Sequence, residues 1–329
     1  MLIKISKLKT FIKQIILTEY TDEEAELMTD VILFGELSGK PSHGLLRLLK
    51  ENFGVFIDGK REKPHYIHKT KVSTLIDSKG NPGFLVGPLA MQEVIKLAKK
   101  NGVGIVGTKK SINTTGAISY YCEKIARENL LCIIFPQSYP LIAPFNSKTA
   151  LFGTNPIGFG IPADPKPIIF DMSTAAIAWG TVMKHQIENV PLPENVAIDQ
   201  RGELTTDPKK AKATLAFGAS YKGSGLAMMV EIFGGLWTGA SYGGNHIENG
   251  HGNLFMAFSP DLLNDTETFK KHAEELVEIL HSKKTKDNKK LRIPGENALT
   301  IRDNHLEKGV IEINDAMIEK LKERFDISL

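Results

Sequence analysis

Apolar positions change period along this chain. From Met1 to Tyr20, Lys4, Lys7, Lys9 and Lys13 are spread among apolar residues as on an amphipathic helix, with no small-residue cleavage site that would make it a signal peptide. Thr21-Asp22-Glu23-Glu24 is a capping box that opens a second helix, with Ala25, Met28, Val31, Leu33 and Phe34 on its apolar side and an end near Gly39. The segment from His43 to Arg47 predicts a further helix start, capped by Ser42.

Beyond residue 70 the pattern alternates. A strand is expected at Lys71 to Asp77, a helix at about Gly87 to Lys100, a strand at Val103 to Thr108, a helix at Ile118 to Glu128 and a strand at Leu130 to Phe135. Pro167 to Asp171 is an apolar run ending in an acid, and Leu226 to Trp237 reads as a helix. From about Pro260 the 3.6 period returns, at Thr266 to Ser282 and Asn314 to Phe325. Interleaved strands and helices define an α/β middle, 71–262, between helical segments 1–70 and 263–329 that are expected to pack together.

The net charge of +3 is too small to indicate nucleic acid, and Lys283 to Lys290 has no aromatic residue to stack on bases, so it reads as a solvated loop. No run of about 18 apolar residues occurs, which argues against a membrane role. Cys122 and Cys132 form no CxxC, consistent with reduced thiols and a cytoplasmic location.

Gly102-Val103-Gly104-Ile105-Val106-Gly107 matches GxGxxG, but a helix precedes it and the glycines fall in the expected strand. A Rossmann fingerprint needs the reverse order, so Gly102 is better read as a helix C-cap. The run from Gly218 to Gly225 leads into a helix with backbone N–H groups, hydroxyls and Lys222. An anion site and a tight loop capped by Ser224 are equally open. Gly153-Thr154-Asn155-Pro156 and Asp171-Met172-Ser173-Thr174 follow apolar runs, at the strand ends where α/β proteins bind ligands. His246 and His251, with Glu248 between them, have metal-ligand chemistry, yet their glycine-rich surroundings read as a polar loop, and no metal is expected.

On a helix, His43 and Arg47 would share a face. Imidazole can give or take a proton near neutral pH, and guanidinium grips a carboxylate through paired hydrogen bonds, so the two together suit a 2-hydroxy or 2-oxo acid. An exposed histidine and a surface arginine are the plainer alternative; Gly44 favours the first by allowing close approach of a ligand.

Five segments in order, Ser42 to Arg47, Gly153 to Pro156, Phe170 to Ser173, Tyr221 to Gly225 and Arg292 to Glu296, resemble the type-2 malate/L-lactate dehydrogenases. That family includes ureidoglycolate and sulfolactate dehydrogenases and 2,3-diketogulonate reductase. The resemblance implies a non-Rossmann dinucleotide-binding α/β domain, a helical domain built from the N- and C-terminal segments, NAD or NADP as cofactor, and a homodimer. It implies a hydride transfer between that cofactor and a small 2-hydroxy or 2-oxo acid of the malate, lactate or ureidoglycolate type. His43 would be the acid and base, with Ser42 beside it, and Arg47 would hold the carboxylate. Ile168, Ile169, Phe170, Asp171, Met172, Ser173, Thr174, Lys222, Gly223, Gly295 and Glu296 match cofactor-contacting segments, and Asn113, Thr114 and Asn155 substrate-facing ones.

In one place this chain departs from the family. The stretch Ser111 to Gly116 carries Thr114 where the family has a second histidine, and threonine cannot titrate near neutral pH. Chemistry is expected to survive because His43 remains. A catalytically reduced protein that binds a dinucleotide or acidic metabolite as a sensor is the alternative. A hydrolase using Ser42 and His43 lacks an orienting acid.

Overall fold

The structure, a computed structural model, describes residues 1–49, 54–245, 248 and 250–329. The capping box forms as expected. Thr21 Oγ1 accepts from the Glu24 N–H at 3.3 Å, the Glu24 carboxylate accepts from the Thr21 N–H at 3.1 Å, and the helix Asp22–Leu37 follows. The N-terminal helix is shorter than its periodicity predicts, Ile5–Ile16, because Leu2–Lys4 is drawn out as a strand paired antiparallel with Val310–Glu312. A strand partner three hundred residues away overrides local helical pattern.

The main sheet has seven strands among the described residues, in the order His65–His68, Ser73–Asp77, Val103–Ser111, His251–Phe258, Leu131–Pro136, Ile157–Ile161 and Ile168–Met172. Ser73–Asp77 runs parallel to Val103–Ser111, and the other neighbouring pairs are antiparallel, so the fold is α/β with a mixed sheet. Strand period puts successive side chains on opposite faces. Cys132, Ile134, Phe255, Ala257 and Val106 join the large core beneath the helices Gly83–Asn101 and Ile118–Ala126. Ile133, Phe135, Leu254, Met256 and Ile105 join a second cluster under Tyr221–Val230 and the wider π-helical turn Glu231–Leu236. With both faces covered, the central strands read as nearly continuous apolar runs.

Three expectations need correction. His251–Phe258, in the middle of the sheet, falls partly in a stretch read as polar loop, because its first residues are His, Gly and Asn; Gly252 is needed there, since a Cβ would lie 2.0 Å from the Gly234 carbonyl oxygen. The helix expected from Leu226 begins at Tyr221, so Ser224 caps nothing; its hydroxyl accepts from the Phe145 N–H at 2.6 Å. Finally, Ser42 to Arg47 is not a helix but two short 3-10 turns, Pro41–His43 and Leu45–Leu48, broken at Gly44. By contrast Gly102 does end its helix, with φ of +79°, and Gly104 and Gly107 lie in the following strand.

Residues 139 to 217 add a smaller lobe that the sequence pattern did not announce. Ile142–Ala143, Ala213–Leu215 and Ala197–Ile198 form a three-stranded sheet, and the helix Trp179–Glu188 packs Val182 against Leu192, Ala197 and Ala211. Its helix meets the main body beside Ser42: a Cβ at Gly180 would lie 3.3 Å from that of Ser42.

Candidate active site

The break at Gly44 has a packing cause. A Cβ there would lie 2.3 Å from a Glu36 carboxylate oxygen, and one at Gly35 would lie 2.6 Å from the His43 carbonyl oxygen. The two glycines let the turn lie flat on the helix Asp22–Leu37, and Glu36 accepts the Leu45 N–H at 2.6 Å. Gly44 therefore serves close packing of this turn rather than the ligand approach expected of it.

His43 and Arg47 are brought together without a helix. Arg47 Nε donates to the Ser42 carbonyl at 2.6 Å, which folds the guanidinium back over the turn. His43 is half-buried, and its Nδ1 is sealed from solvent without a hydrogen-bond partner in the protein. Burial lowers the imidazole's proton affinity well below its ordinary value; Arg47 and Lys40 add to that and Asp171 opposes it. Burial also lowers Arg47, to about 10, which leaves it charged at neutral pH.

Asp171, at the end of Ile168–Met172, completes the cluster. Lys40 Nζ donates to Asp171 Oδ2 at 2.6 Å and to Ser119 Oγ at 2.9 Å, and the Ser119 N–H donates to the same Asp171 oxygen at 3.2 Å. Burial works against the carboxylate, yet Lys40, Ser119 and His43 together hold it below its usual range. Lys40 and Ser119 escaped the sequence reading. Lys40 stood only as one polar residue of a turn, and the interior position of Ser119 in a helix start carried no signal.

Beside this cluster lies a cavity of about 250 Å³. Phe34, Ile169 and Leu299 give it apolar walls; Lys40, Ser119, Asp171 and Arg292 give it polar ones, and Gly295 and Asn297 bring the start of the helix Glu296–Lys308 to its edge. That helix is held by Arg302, which grips Glu123 through both terminal nitrogens, and by His305, whose Nδ1 lies 2.9 Å from the Leu37 carbonyl oxygen. Of the candidate cofactor residues, Ile169, Asp171 and Gly295 line the cavity. Ile168, Phe170 and Met172 share the strand, with Phe170 against Phe159. Ser173 and Thr174 bond instead to the Thr154 carbonyl, and Thr174 also to that of Asn155. Glu296 accepts from the Ile293 N–H at 3.1 Å and lies 3.2 Å from His281 Nε2. Lys222 and Gly223 are in the first turn of Tyr221–Val230 and do not line the cavity; Gly223 lies against the Phe217 backbone and Lys222 is exposed.

The candidate substrate residues are spread along the same end of the sheet. Asn113 Nδ2 donates to the Gly54 carbonyl at 3.0 Å, and the Thr114 hydroxyl accepts from the Gly116 N–H at 3.2 Å. Asn155 is fully buried, donating to Glu231 at 2.6 Å and to the Ala227 carbonyl at 3.1 Å. Of the histidine pair considered for metal, His246 lies outside the described residues, and His251 is buried in the central strand against the ring of Tyr139.

Comparison with known proteins gives this geometry a context. The fold is that of malate dehydrogenase from Entamoeba histolytica, with a TM-score of 0.89 over 99% of this chain and 98% of the other at 22% identity. L-sulfolactate dehydrogenase of Methanocaldococcus jannaschii is 31% identical over 312 residues, covering 92% of this chain and 90% of the relative. Ureidoglycolate dehydrogenase (NAD+) of Escherichia coli is 30% identical over 271 residues, covering 79% and 77%. The family and these relatives define an oxidoreductase of small 2-hydroxy and 2-oxo acids that works with NAD(P). The malate/L-lactate dehydrogenase profile matches residues 3–322, and the chain belongs to that family.

Proposed function

We propose that His43 moves the proton and Arg47 holds the carboxylate in hydride exchange between NAD(P) and a 2-hydroxy acid of the malate, lactate, sulfolactate or ureidoglycolate type. The observation that carries this reading is that the turn bearing His43, onto which Arg47 folds back, is bonded through Lys40 to Asp171, and that Lys40 and Asp171 line one cavity. The cavity suits one end of a dinucleotide: its apolar wall at Phe34 and Ile169 can face a planar ring, and Ser119 and Arg292 offer polar contacts at the rim. At about 250 Å³ it holds only part of such a molecule, so the remainder would lie across the neighbouring surface on this non-Rossmann sheet. When bound, the nicotinamide supplies or accepts the hydride.

With its proton affinity depressed, His43 is neutral at neutral pH and ready to accept the hydroxyl proton during oxidation. Reduction needs the protonated ring. A substrate carboxylate paired with Arg47 offsets the positive charge that disfavours imidazolium, so binding of the acid itself raises the proton affinity of His43.

Several finer assignments belong to the same reading. Segments 1–70 and 263–329 form one helical unit against 71–262, save for the edge strand His65–His68, which belongs to the main sheet; the pairing of Leu2–Lys4 with Val310–Glu312 supports this. A homodimer is supported by the apolar face left open along Tyr221–Val230 and its continuation, where Met228, Met229, Leu236 and Trp237 are exposed. A cytoplasmic location fits two buried, unpaired cysteines; no helix among the described residues is long and apolar enough to cross a membrane.

The test is loss of reduced-nicotinamide absorbance with NADH and NADPH separately, against oxaloacetate, pyruvate, oxalurate, sulfopyruvate and 2,3-diketogulonate. Turnover with one pair is expected. Dinucleotide binding with silence across the panel would move the sensor reading ahead.

A further inference from the structure

Three charged side chains, Arg47, Asp171 and Lys40, act on the imidazole of His43. Arg47 lies on the next turn, Leu45–Leu48, Asp171 on the strand Ile168–Met172, and Lys40 directly before the turn Pro41–His43; Glu36, from the helix Asp22–Leu37, accepts the Leu45 N–H. Lys40 reaches two separate parts of the chain. Its ammonium reaches Asp171, 131 positions away, and Ser119, 79 positions away, while its backbone carbonyl accepts the His43 N–H at 2.8 Å. One residue thus ties the His43 turn both to the end of the sheet and to the start of the helix Ile118–Ala126. Lys40 also lines the cavity, so the tie is made where ligand binds.

We propose that Lys40 is a positioning residue for the reaction: through Asp171 and Ser119 it fixes the His43 turn against the sheet and keeps a charged carboxylate beside the imidazole. The inference rests on the proton-transfer role given to His43 above. The physical requirement is simple. A carboxylate taken out of water stays ionised only when a cation and hydrogen-bond donors face it, and Lys40 supplies the cation on one side. Asp171 and His43 interact closely, so their protons belong to the pair. Taking one positive charge out of that cluster raises the pH at which the pair takes up its proton, whichever member receives it.

The experiment compares Lys40→Met and Lys40→Arg with the wild-type full chain by two readouts. The first is the pH titration of the His43 ring signals in the NMR spectrum, assigned by their absence in His43→Gln, and it needs no turnover. The second is kcat and KM for the active 2-oxo acid, with thermal melting to show that each variant is folded. Lys40→Met is expected to move the titration upward by roughly one pH unit. It is expected to lower kcat by at least about tenfold with little change in KM, and Lys40→Arg to restore most of both. A folded Lys40→Met with an unmoved titration overturns the proposal, as does a moved titration that Lys40→Arg fails to correct. Were the wild type inactive with every acid, the titration would still decide the matter, so failure of the catalytic reading is told apart from failure of this one.

Discussion

Two buried polar clusters sit at the same end of the sheet, and they solve burial in opposite ways. In the first, the charges of Lys40, Arg47 and Asp171 act on the neutral ring of His43, and Lys40 and Asp171 line a cavity. In the second, Gln137, Asn155 and Glu231 are linked by hydrogen bonds, Gln137 accepts the Gly252 N–H, and His251 lies next along that strand. Burial is the largest cause on both histidines, yet charged neighbours act only on His43; His251 is lowered to about 4 by burial alone. The carboxyls diverge. Asp171, facing a lysine, is held low, whereas Glu231 is raised by burial in spite of the bonds from Asn155 and the Gly243 N–H. Burial by itself makes a group inert; burial among charges makes it responsive to a bound anion.

The widest separation between the clusters should come from their histidines. His43→Ala is expected to lower kcat by about 10³-fold, within the usual range for a lost general acid–base, while dinucleotide affinity measured by fluorescence titration changes little. His251→Met should leave kcat within a few-fold. Equal losses from both substitutions would erase the distinction.

Stability tests the second cluster next. In the unfolded chain His251 takes a proton near 6.5, and in the folded chain only near 4. Between those values the unfolded state binds more protons, so stability is fully present above about 6.5 and is lost as pH falls toward 4, by up to about 3 kcal/mol. Urea melts at several pH values should give a slope that flattens by about one proton in His251→Met; an unchanged slope would mean the ring is hydrated.

Arg47→Lys keeps the charge but loses the fork that matches a carboxylate. A rise of roughly 30-fold in KM for the 2-oxo acid is expected, about 2 kcal/mol, with a smaller effect on kcat. Steady-state kinetics showing the reverse pattern would place the guanidinium on the reacting atoms instead. The smallest effect belongs to the hydrogen-bonded cluster. Glu231→Gln retains one acceptor oxygen for three donors, Gln137, Asn155 and the Gly243 N–H, and should cost about 1 kcal/mol in a denaturant titration. No loss at all would show that these hydrogen bonds do not support the folded state.

Much of this was legible in the chain. The capping box at Thr21, the alternating elements from residue 71, the C-cap at Gly102 and the motif of Ser42 to Arg47 depend on neighbours within a few positions, and such signals survive in a linear string. What failed were features set by distant partners. Leu2–Lys4 became a strand because Val310–Glu312 lies alongside it. His251–Phe258 entered the middle of the sheet although its first residues look like loop. The turn at Gly44 broke because Glu36 occupies the space a side chain would need.

By itself, then, the sequence determined the class of fold, the family and the residue types able to hold an acid and move its proton. Only the tertiary structure decided that Lys40 faces Asp171, that Arg47 folds back across a broken turn onto the Ser42 carbonyl, and that Asn155 and Glu231 are sealed together away from the cavity. The physical reason is range. Propensity and capping act over one or two turns, whereas the proton affinity of a buried group is set by whatever charge the fold brings within a few ångströms, at any separation along the chain.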